Sequence, residues 1–176
     1  MNQTQQTPYN SYPNIIQDFV DIQECYSPLY ADEKDYPSVK AWLKQIRTEG
    51  FTNPMMDEIL RYIYKLLQKE QREEATLLLL ISSATEHDEA NYILARELYK
   101  GELFEANKAA AFGIFSTLSS RGHPQALCDM GYFYKNGIMV KKDKQQAVNF
   151  YRLAMEAGVE RAKKQYLLLT QKHFGF

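Results

Sequence analysis

Residues 88–123 and 124–159 superpose at a shift of 36 positions, and this self-similarity constrains the fold more than any other feature of the chain. Five residues coincide: Ala90 on Ala126, Gly101 on Gly137, Lys108 on Lys144, Ala111 on Ala147, and Gly122 on Gly158. Similar types coincide at further places, among them Leu94 on Met130, Ala95 on Gly131 and Phe115 on Tyr151. A fixed period between twenty and fifty residues marks a stacked array, in which each unit buries its apolar face against the next. Such an architecture favours binding over chemistry.

The register also runs backwards. Val39, Ala75, Ala111 and Ala147 share one slot, and Gly50, Glu86, Gly122 and Gly158 share another. Small residues suit points where paired helices approach closely, and glycine suits a left-handed turn at a helix end. The pattern predicts second helices and turns from residue 38 onward, with 52–87 as a degenerate unit. Helices are expected at 38–49, from 54, 72–85, 89–100, 108–120, 124–136, 144–157 and 161–172. A further helix is expected after Asn14, with Ile15, Ile16, Phe19, Val20 and Ile22 on one face. The expected organisation is a polar lead-in over 1–13, a helix and connection over 14–37, and a repeat array over 38–176 closed by a helix at 160–172.

Composition enters mainly to exclude. The net charge of −1 gives no electrostatic case for nucleic acid. It conceals a split: 1–87 hold 8 Lys/Arg against 13 Asp/Glu, and 88–176 hold 13 against 9. The apolar run Leu77–Ile81 is too short for a membrane span and fits a helix buried on two sides. Cys25 and Cys128 form no CxxC pattern, which suits reduced thiols, and 1–14 lack an apolar signal core, so a cytoplasmic location is expected. His87, His123 and His173 have no i,i+4 partner for zinc, and no nucleophile elbow, dinucleotide fingerprint or P-loop occurs. Neither a catalytic residue, a cofactor nor a metal is expected.

The units resemble the Sel-one-like repeat, a relative of the tetratricopeptide repeat. In the second unit Ala126, Met130, Gly131 and Tyr134 match its first helix. Gly137, Val140, Asp143, Lys144 and Ala147 match its loop and second helix, and Tyr151, Ala154, Ala157 and Gly158 its tail. The first unit departs at Ala95, Phe104, Asn107 and Leu118. The resemblance covers 88–172 specifically and 38–87 weakly. It implies an all-α, right-handed α-solenoid of antiparallel helix pairs, used as a non-catalytic protein-interaction scaffold. Relatives in signalling, bacterial host contact and toxin immunity leave open an adaptor and an immunity protein that neutralises a toxin. Separately, Phe174 and Phe176, with no obvious core to enter, leave open a self-associating structural subunit.

Helical geometry assigns the faces. Ala90, Leu94, Ala95 and Leu98 form the paired stripe of one helix, flanked by Glu89, Tyr92, Arg96, Tyr99 and Lys100. The equivalents one unit on are Gln125, Cys128, Tyr132, Lys135 and Asn136. The resemblance implies that this second stripe lines the concave face. Tyr92, Arg96, Tyr99, Lys100, Tyr132, Lys135 and Asn136 are therefore the expected partner-binding residues, with a preference for acidic segments. Lys141, Lys142 and Lys144 make a second basic cluster, read as a solvated loop.

Overall fold

The computed structural model describes residues 36–171. The helix expected after Asn14 and the tail beyond 171 lie outside the described residues. Eight helices follow one another among the described residues: α1 (Pro37–Glu49), α2 (Asn53–Gln68), α3 (Arg72–Ala84), α4 (Asp88–Lys100), α5 (Lys108–Ser120), α6 (Pro124–Asn136), α7 (Lys144–Glu156) and α8 (Glu160–Thr170). The chain divides into two compact units, the first ending at Asn107 and the second beginning at Lys108.

In the first unit α1, α2 and α4 all pack on α3. That arrangement explains why α3 carries the densest apolar run: every residue from Glu74 to Thr85 is buried. An amphipathic stripe suffices for a surface helix, whereas a helix covered on several sides must be apolar all round. Helix α2 starts at Thr52, whose hydroxyl accepts the Met55 N–H at 3.4 Å, with Pro54 in its first turn. Acidic residues open α3 and α4, and Lys100 ends α4, each favourable to the helix dipole.

In the second unit α5 packs on α6, α6 on α7, and α7 on α8. The Phe133 ring meets Phe112 at 5.3 Å and Phe115 at 5.9 Å. Tyr134 stacks on Phe150 at 5.4 Å. At Gly131 the backbone of α6 lies directly against a side chain of α7. A Cβ there would stand 2.8 Å from Cδ1 of Tyr151, whose ring is buried. Burial pushes the neighbouring Cys128 thiol up to about 11, so it stays protonated at neutral pH.

The 36-residue period recurs in several backbone hydrogen bonds. The Asn107 N–H donates to Leu98 O and the Asp143 N–H to Tyr134 O, both at 2.9 Å. Glu86, Gly122 and Gly158 donate to Ser83, Ser119 and Met155 at 3.0, 3.0 and 2.9 Å. All four residues of the glycine slot have positive φ: Gly50 74°, Glu86 60°, Gly122 82° and Gly158 88°. Glu86 therefore adopts the left-handed turn without the residue suited to it. The strain of about 1–2 kcal/mol exceeds the ~0.5–1 kcal/mol that glycine loses in chain entropy. Glu86→Gly is expected to raise stability by about 0.5–1 kcal/mol, or roughly 1–4 °C in melting temperature. Gly158→Ala should move the melt the other way, and a circular-dichroism melt of both variants checks the pair.

Candidate interaction surface

In the first unit a groove of 330 Å³ lies between α2 and α4, with Tyr64, Arg72, Arg96 and Lys100 among its lining residues. Tyr64 is 43% exposed, and burial of its ring, then the Glu89 carboxylate, raise its phenol above the ordinary range. Lys100 is engaged by Glu97 at 3.2 Å and Glu102 at 3.5 Å. Arg96 differs: its guanidinium stands 6.0 Å from the centroid of the Tyr92 ring and meets no carboxylate within ion-pair distance among the described residues.

Tyr92 itself is only 5% exposed, so the expectation that it lines an open face is corrected. Helix α4 buries Tyr92, Ile93, Leu94, Ala95, Glu97 and Leu98, an arc wider than one amphipathic stripe, and the tyrosine ring falls inside it. Tyr99 is half-buried, while Arg96 and Lys100 are exposed. Tyr64 and Arg72 were not among the expected residues. Stepping Lys100 back by 36 positions leads to Tyr64, so the repeat register held that signal.

The equivalent face of the second unit runs between α6 and α8. Lys135 donates to Gln165 Oε1 at 2.8 Å. Arg161 pairs with Asp129 at 2.9 Å and donates to Gln125 Oε1 at 3.2 Å. Asn136 donates to the Tyr132 carbonyl at 2.8 Å. Lys135 and Asn136 thus serve the helices themselves. Tyr132 is the expected residue that this face presents as an open aromatic, at 45% exposure.

The histidines behave differently at equivalent positions. His123 Nδ1 accepts the Ala126 N–H at 3.3 Å and so caps α6. His87 makes no such cap; its Nδ1 is buried without a partner, its ring sits edge-on to Phe51 at 6.2 Å, and burial lowers its pKa. Lys141, Lys142 and Lys144 are exposed around Asp143, whose side chain accepts the Gln146 N–H at 2.9 Å to start α7. Among the described residues no three or more His, Cys, Asp and Glu are grouped as a metal site requires, and no helix is long and apolar enough to cross a membrane.

A family model described as Sel1 repeat matches residues 88–123 and 124–159, the two units whose backbone bonds recur at 36 positions. These are Sel1 repeats. The all-α helical-repeat solenoid class follows from them and from solved structures with the same fold. One is a Sel1 repeat protein from Oxalobacter formigenes, with a TM-score of 0.57 at 21% identity over 73% of this chain and 94% of that one. Another is a protective antigen present in uropathogenic Escherichia coli strains and displaying an SLR fold, with a TM-score of 0.59 at 25% identity. It is covered over 71% of this chain and 27% of its own length. No curated protein matches the chain significantly in sequence. Sel1 repeats are generally protein-interaction modules, and their fold is typically a non-catalytic scaffold.

Proposed function

We propose that this protein binds a protein partner through the α2–α4 face of its first unit, in a reducing cytoplasmic setting and without catalysis. The observation that carries the reading is Arg96, an exposed cation with no carboxylate partner among the described residues, beside the open ring of Tyr64 in a preformed groove. Arginine and tyrosine are the side chains that most often anchor interfaces, and a groove formed before binding spares the cost of ordering it. An acidic segment supplies the missing charge. Tyr132 offers an aromatic contact on the second unit.

Arg96→Glu is expected to weaken partner capture at least tenfold while leaving the helical signal and the melt unchanged. Purification of the tagged chain at low salt, with quantification of every stoichiometric companion, measures this. Equal recovery by the wild type and the variant would remove Arg96 from the interface. A companion that is toxic when expressed alone would make the protein an immunity protein, and a signalling component would make it an adaptor. Self-association is a second reading, favoured by Leu153, Leu167 and Leu168, exposed at 40, 39 and 51% on α7 and α8. A mass by light scattering that does not change with concentration would count against it.

A further inference from the structure

A second, larger groove of 580 Å³ lies in the first unit between α1 and α2. Ala41 and Trp42 of α1 and Met55 and Ile59 of α2 give it an apolar lining, with Tyr62 at its edge. Both aromatic walls are fixed from α3. The Trp42 indole N–H donates to Ser82 Oγ at 3.2 Å. The Tyr62 hydroxyl donates to Glu74 Oε1 at 3.0 Å, and the same carboxylate accepts the Ser38 hydroxyl. Ser82 and Glu74 are buried, so the shape of the groove is set by the fold before any ligand arrives.

The exposed charge on this groove is unequal, with Arg61 and Lys65 set against the single carboxylate of Glu58. Arg61 and Lys65 stand one turn apart on α2 and line the same groove, and neither has a carboxylate within ion-pair distance among the described residues. Tryptophan, tyrosine and arginine are the usual hot-spot types, and methionine adapts its shape to a ligand. The walls are helices whose backbone groups bond internally, so no strand edge is offered for β-addition. A helix laid in the groove is the recognition mode that fits.

We infer that the α1–α2 groove docks an amphipathic helix of a partner protein, its apolar stripe on Trp42, Met55 and Ile59 and its acidic flank along Arg61 and Lys65. The partner's carboxylates pair with Arg61 and Lys65, which outnumber Glu58 on this groove. This site is separate from the α2–α4 face, so Arg96→Glu leaves it intact.

The test is an anisotropy titration of the full chain with two labelled helical peptides. Both carry leucines at i, i+3, i+4 and i+7; one has a glutamate flank and the other a lysine flank. The glutamate peptide is expected to bind roughly tenfold more tightly. Arg61→Glu with Lys65→Glu, both at exposed positions, should reverse that preference, and Ala41→Arg on the exposed wall should weaken both peptides. No binding, or a preference that survives the charge reversal, would overturn the inference. A further variant carries Ile16→Asp, Phe19→Asp and Val20→Asp. Binding by that variant alone would assign the groove to the chain's own leading segment, which also overturns the partner assignment.

Discussion

Tyr151→Ala lowers the stability of the second unit by about 3–5 kcal/mol, the cost of removing a large aromatic ring from a packed core. Tyr151 is 2% exposed and belongs to a cluster with Leu127, Cys128, Ala147, Ala154 and Val159. Its ring lies on the bare backbone of Gly131, so truncation opens a void that α6 can close only by shifting. Gly131→Ala alone is expected to cost about 1–3 kcal/mol, because the new methyl presses on a ring with no room to retreat. In Tyr151→Ala the same methyl finds space, so the double variant should be less destabilised than the sum of the two. Denaturant unfolding of the four proteins measures that coupling, and strict additivity would mean the contact is not shared. Burial also holds the Tyr151 phenol above the ordinary tyrosine range. Its contribution is therefore complete below about pH 10 and is lost as pH rises through the folded-state pKa.

Trp42→Ala produces a loss of similar size, about 3–5 kcal/mol, in the first unit. The indole is 8% exposed and joins α1 to α3 through its bond to Ser82. Ser82 also donates to Leu78 O at 2.8 Å, so its hydroxyl is not orphaned and the cost is mainly packing. Hydrogen exchange should find faster opening in α1 than in α3, because α3 keeps its contacts with α2 and α4. Uniform loss of protection across α1 to α4 would show instead that α1 is integral to the unit's cooperative core.

The helices were legible because the turns that end them carry glycine at a fixed spacing. Gly101 and Gly137 both adopt the left-handed conformation one residue after Lys100 and Asn136, where the pattern stops. The degenerate unit was legible through the same slot, since Glu86 makes the turn that Gly122 makes. Which side chains stay exposed was less so. Periodicity gives the direction of a side chain but not the width of the buried arc, so Tyr92 was read as open when α4 encloses it. Lys135 reads in sequence as a partner-binding residue, yet it donates to Gln165, 30 residues away on another helix. The Ser38–Tyr62–Glu74 hub draws on three helices and has no local signature at all.

Trp42 is the only tryptophan in a chain with 13 tyrosines. Red-edge excitation therefore interrogates a single indole, in the wall of the α1–α2 groove. A helix settling there would cover the small part of that indole still open to water and protect it from a soluble quencher, whereas a ligand on the second unit would meet no tryptophan. The protein thus carries its own label-free optical gauge for one of its surfaces.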